Sequence, residues 1–187
     1  MSEEMIDVLD AQGVPTGQVM TKGEIHRTGT LHRTVHIWIV TSQGDLVVQR
    51  RGPNMETFPN RWDISSAGHI SAGESSLQGA IREMKEELGL IVDNHDLELL
   101  GIVQIESFYK NGTYIDREYQ DVYLTQRNIN LSQLTAQQSE VSGIKLISWI
   151  ELQQLVEKKD PEVVPHTEEY HLLFSVLQQR FPNAHPR

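Results

Sequence analysis

GHISAGESSLQGAIREMKEELGL, residues 68–90, runs from a glycine-rich loop straight into an acidic helix. Ser75 followed three residues later by Gln78 is a capping-box pattern, and Gly89 suits the position just past a helix end. Between them Leu77, Ala80, Ile81, Met84 and Leu88 recur at helical spacing as one apolar stripe. At about 100° per residue, Glu83, Glu86 and Glu87 fall on the other side, facing outward toward whatever the loop encloses. Like charges three and four positions apart on a helix repel, by roughly 0.2–0.5 kcal/mol per pair. The cluster therefore needs solvent or a counter-ion. A solvated acidic face is the plainer reading, but three features favour a cation. The glycines of GHISAGE let backbone carbonyls approach a ligand closely. Carboxylates at i, i+3 and i+4 can converge on one hard ion, and ions such as Mg²⁺ share oxygen ligands with substrate phosphates. Arg82 stands beside the three acids, placed to hold one carboxylate through a bidentate bond.

Outward from this stretch the chain reads as one domain. Its 187 residues suffice for a sizeable core without staples. With no cysteine, disulfides, thiolate metal sites and thiol nucleophiles are excluded. The acidic start MSEEMIDVLD lacks a signal-peptide pattern, and no apolar run is long enough to span a bilayer, so a cytoplasmic location without membrane partners is expected. A formal charge of −10 argues against a broad grip on a nucleic acid polymer while leaving room for a small anion neutralised by a cation or local arginines.

Residues 5–20 are expected to form a hairpin around AQGVPTG, and residues 22–27 a short helix. Residues 31–41 (LHRTVHIWIVT) and LVVQRR, joined by SQGD, give the clearest strand pair; RGPNMETFPN follows as a loop and RWDISSAGHI as one short strand. Further strands are expected at 97–108, at 117–125 across KNGTY, and at 144–149. Helices are expected at 149–158, broken by Asp160-Pro161, and at 167–180. This order predicts an α/β fold with a mixed sheet packed between helices. Its parts are an N-terminal hairpin extension over 1–30, a core over 31–158 and a C-terminal helical extension over 159–187, whose helix could cover the sheet or mediate a homodimer.

Gly68, five residues, Glu74, seven residues, then REMKEELGL from Arg82 resembles the Nudix box at every defining position. A chance match in a chain this size is about one in a million, which sets it apart from a lone glycine motif. The resemblance covers most of the chain, from about residue 5 to 155. It implies an α/β/α sandwich that hydrolyses a diphosphate linkage, as in nucleoside diphosphate derivatives, with Mg²⁺ or alternatively Mn²⁺ as cofactor. Glu83, Glu86, Glu87 and the Gly68 carbonyl are implied as metal ligands, with Glu83 or Glu87 in contact with the attacking water. Arg82 would orient Glu83, and Glu74, with His69, would support the loop. A further carboxylate is usual in this family. Glu118, in DREYQDVY, is the candidate, with Asp116 two residues earlier on the same strand face. Arg50 and Arg51 could grip a phosphate, against the plainer reading of surface arginines. Tyr109, Tyr114 and Phe108 could stack a base or simply pack at strand ends.

The order PTG, Lys22, His26, LHR, QRR, PNRWD and SSAGH resembles type I isopentenyl-diphosphate isomerases and their hydrolase relatives. In the isomerases histidines and glutamates bind a divalent metal, and the matching histidines are His26 or its neighbour, His32 and His69. The cysteine that moves protons just before the GH pair is replaced by Ala67, which can neither give nor take one. Hydrolysis is therefore expected. Isomerase-like activity and a non-catalytic nucleotide-binding protein are the alternatives. His36, within a strand, reads as a hydrogen-bonded structural residue.

Overall fold

The computed structural model describes residues 3–185. A two-stranded antiparallel sheet, β1 (Met5–Leu9) and β2 (Pro15–Thr21), opens the chain and leads into α1 (Lys22–Thr28). Thr21 and Glu24 cap α1 reciprocally, a capping box that fixes where the helix starts. The main sheet, seven-stranded among the described residues, runs in the order β5 (Trp62–Asp63), β4 (Asp45–Arg51), β3 (His32–Val40), β8 (Tyr114–Gln126) and β7 (Glu98–Tyr109). β6 (Ser66–His69) pairs with β3, and β9 (Val141–Ser148) with β4. β3 and β8 are parallel and the other pairs antiparallel, which makes the sheet mixed.

Two apolar layers flank it. α2 (Ser76–Leu88) sets Ala80, Met84 and Leu88 against Val35, Ile37 and Ile39. Because strand residues alternate faces, Trp38, Val40, Leu46 and Val48 belong to the opposite layer, with α3 (Trp149–Glu157) and α4 (Thr167–Arg180). The result is the expected α/β/α sandwich. Met84 is fully buried, so truncation to Ala should cost about 2–5 kcal/mol. Among the described residues no helix is long and apolar enough to cross a membrane.

The structure corrects several sequence expectations. The single strand expected across RWDISSAGHI is two, β5 and β6, because Ser65 spans the place where β3 and β4 part. Its hydroxyl accepts the Ile39 N–H and donates to the Val47 carbonyl. The β7–β8 hairpin is longer than expected, turning only over residues 110–113, and β9 starts three residues early. Trp149 opens α3 instead of ending a strand, since Ser148 caps it. The capping box of Ser75 and Gln78 and the left-handed Gly89, φ 69°, frame α2 as the sequence implied.

Candidate active site

β3, β4, β6, β8 and α2 surround a cavity of about 660 Å³. At one end stand the box acids, which line the cavity with Gly68, and two of them are buried rather than open to solvent. Glu83 and Glu87 are 9 % and 3 % exposed, turned inward beside Ala80 and Met84; only Glu86 meets solvent. Glu87 accepts the Ala67 N–H at 3.1 Å and Gln49 Nε2 at 3.3 Å. Arg82 donates to Glu83 at 2.7 Å, to Glu86 at 3.2 Å, to both oxygens of Glu74 and to the His69 carbonyl at 2.8 Å. Glu74 also accepts the Ser71 N–H, tying the loop to the helix. Burial pushes the Glu83 carboxyl up to about 7, its Arg82 partner opposing. Burial and the neighbouring Glu83 push Glu87 up to about 8. Gly68 leaves room for Glu83: a Cβ there would sit 2.2 Å from the Glu83 carboxyl carbon and force that side chain to move. Two carboxylates unwilling to ionise alone, pressed on a bare backbone, form an oxygen donor set that suits a hard divalent cation.

The other end is built from four elements. His26 (α1), His32 (β3) and His69 (β6) each offer a ring nitrogen within 4.8 Å of the others. Asp116 and Glu118 of β8 complete the group, since the parallel register sets Glu118 beside His32. His26 Nδ1 lies 2.8 Å from Asp116 Oδ1, yet out of line for a hydrogen bond, and both atoms are buried without another partner. His32 Nδ1 meets the Thr30 carbonyl at 3.0 Å and so donates. That leaves Nε2, also unpartnered, 3.4 Å from Glu118. Burial opposes ionisation of Glu118, but the neighbouring His32 outweighs it and holds its carboxyl below the ordinary range. Burial keeps His69 neutral, well below the usual histidine value. Three imidazoles and two carboxylates, with buried His26 Nδ1, His32 Nε2 and Asp116 Oδ1 left without a hydrogen-bond partner, fit a transition-metal divalent ion.

Between the ends the wall carries Lys22, Arg51, Tyr109 and Tyr114. Arg51 is anchored by Asp63 at 2.7 Å and the Thr57 carbonyl at 3.0 Å. The two loops at the mouth meet through an ion pair of Glu56 with Lys110 and the edge-on rings of Phe58 and Tyr109, 5.4 Å apart.

The cavity thus gathers Gly68, Glu83, Glu86, Glu87, Glu118, Asp116, Arg82 and Arg51, as the sequence implied. Arg50 lies outside it, its guanidinium donating to the Asn60 carbonyl and resting on Trp62. His69 departs from loop support: its ring joins the histidine group, and only its carbonyl braces Arg82. Tyr114 stacks on His26 at 4.4 Å, and the exposed Phe108 does not line the cavity. Sequence reading missed Asp63, His166 and Glu169, which also line the cavity. The signal for Glu169 was its place on the apolar stripe of α4, one residue before the buried Tyr170.

Residues 30–172 match the NUDIX domain family. The chain is 40% identical over 185 residues to "Nudix hydrolase 3" of Arabidopsis thaliana, covering 96% of this chain and 24% of that protein. It therefore spans about a quarter of that relative's length. A shorter likeness, 37% over 48% of this chain and 50% of the other, links it to an isopentenyl-diphosphate Delta-isomerase of Escherichia coli. Among solved structures, DR0079 from Deinococcus radiodurans shares the fold with a TM-score of 0.70 at 20% identity, covering 92% of this chain and 98% of that one.

Proposed function

The chain belongs to the Nudix family of hydrolases, and on that premise we propose that it cleaves a diphosphate linkage in a divalent-metal-dependent reaction. The substrate class is a nucleoside diphosphate derivative or similar small phosphorylated metabolite. The observation that carries this reading is the pair of buried carboxylates, Glu83 and Glu87, pressed on the Gly68 backbone inside the cavity.

In the proposed mechanism Gly68, Glu83, Glu86 and Glu87 would hold the catalytic ions, with His26, His32, His69, Asp116 and Glu118 as a second set of ligands. Divalent cations bound there would supply charge neutralisation for the diphosphate and a more acidic water. Arg82 fixes the Glu83 carboxylate, and Glu83 or Glu87 takes a proton from water as it attacks phosphorus in line. Arg51, immobilised by Asp63, and Lys22 supply fixed positive charge to the diphosphate.

The test is a panel of diphosphates incubated with the purified chain and Mg²⁺ or Mn²⁺. Release of a monophosphate from at least one compound, abolished by chelator, is expected; no release from any would defeat the reading. The histidine end favours a second reading, isomerisation of isopentenyl diphosphate. Ala67 in place of a proton-carrying side chain opposes it, and appearance of dimethylallyl diphosphate would decide for it.

A further inference from the structure

We propose a third metal site, for zinc or a similar borderline divalent ion, formed by His36, His166 and Glu169 where α4 meets the sheet. It shares no residue with the acid end or the histidine end. One ligand atom from each of the three lies within 4.8 Å of the others. Glu169 is 1 % exposed, and its two oxygens are used unequally. Oε1 accepts Trp38 Nε1–H at 2.7 Å, which fixes the carboxylate plane. Oε2 points at both histidines, 2.6 Å from His36 Nδ1 and 4.0 Å from His166 Nδ1.

The orientation of His166 carries the inference. Its Nε2 lies 2.7 Å from Asp63 Oδ1. Asp63 already accepts the Ile64 N–H at 2.8 Å and an Arg51 N–H at 2.7 Å, so its carboxylate is an acceptor and His166 Nε2–H donates. That leaves Nδ1 as the ring's second nitrogen, available as a ligand atom 4.0 Å from Glu169 Oε2. A carboxylate behind one imidazole nitrogen, with the other facing a second ligand, is how metal-binding histidines are held and made more basic. Two histidines and one glutamate leave a fourth tetrahedral position, the donor set of zinc sites that admit water or substrate. All three residues line the same cavity as the other two ends. The nitrogen-rich set favours zinc and its neighbours over the magnesium expected at the oxygen-only acid end.

The experiment titrates the full chain with Zn²⁺ while following histidine side-chain nitrogens by long-range ¹H–¹⁵N NMR. The site predicts that Nδ1 of both His36 and His166 moves to metal-bound shifts. In parallel, equilibrium dialysis with elemental analysis should find one zinc fewer per chain in His166→Asn than in the unaltered protein, with unchanged melting in chelator. His166 is partly exposed, which favours a folded variant; should it misfold, the NMR titration of the unaltered chain decides alone. Nδ1 signals that stay put in excess zinc, or an equal zinc count in the variant, would overturn the site and leave an ion-pair network clamping α4. Neither readout uses turnover, so its failure is distinct from failure of the hydrolase reading.

Discussion

The acid end and the histidine end occupy one cavity but are made by different physics. Gly68, Glu83, Glu86 and Glu87 come from one loop and one helix, and a period of 3.6 residues suffices to group them. His26, His32, His69, Asp116 and Glu118 come from α1, β3, β6 and β8. Only the sheet order and the parallel register of His32 with Glu118 bring them together. Their charge states differ as well. The acid end buries its carboxylates and sets them beside one another, so without metal Glu83 and Glu87 resist ionising, through burial first and like charge second. At the histidine end Glu118 is charged readily because imidazoles face it. The first is an unbalanced site that calls for a cation; the second is partly balanced by its own side chains.

Glu87→Gln tests this contrast with the largest effect. Turnover should fall by about 10²–10⁴-fold, measured as kcat in the diphosphate assay. Metal-free stability should move the other way. Glu87 titrates near 8 in the folded chain against a reference of 4.5. The native state then binds more protons than the unfolded chain between those values, and stability falls as pH rises through that window. Thermal melts in chelator at pH 8–9 should therefore show the glutamine variant more stable than the parent; a less stable variant would mean that the carboxylate is held by contacts other than a missing cation.

Gly68→Ala comes next. The added methyl meets the Glu83 carboxyl, so Glu83 must swing away. Overpacking of about 1–3 kcal/mol in chemical denaturation and a loss of kcat of at least roughly tenfold are expected. Unaltered kcat would show that the position of Glu83 is not critical.

Glu118→Gln probes the histidine end, where about a 10–100-fold loss in kcat and a lower Mn²⁺ affinity are expected. A variant with altered melting but full activity would reduce that end to packing. The smallest contrast is between neighbours. Arg51→Ala should raise KM several-fold, while Arg50→Ala, outside the cavity, should stay within about 0.5 kcal/mol of the parent in binding and stability. Equal effects would remove the distinction drawn from their geometry.

The same contrast explains what was legible in the sequence. α2 could be read with its caps and stripe because helix signals are local, and most strands followed from β-branched and aromatic runs. The burial of Glu83 and Glu87 could not. Periodicity gives a side of the helix, but which flank of that side meets β6 depends on packing against Gly68. The break at Ser65 depends on a hydroxyl bridging two strands that sequence alone does not place as diverging neighbours. His69 was assigned to its loop because its ring partners, His26 and His32, lie on other elements. Arg50 and Arg51 look alike in the sequence, and strand alternation with Asp63 as partner separates them.

Anomalous diffraction from crystals soaked in Mn²⁺ tests the central claim most directly. The account predicts one peak bounded by Glu83, Glu86, Glu87 and the Gly68 carbonyl, and another among His26, His32, His69, Asp116 and Glu118. Crystals that diffract well in saturating Mn²⁺ yet show no peak beside Glu83 and Glu87 would contradict it.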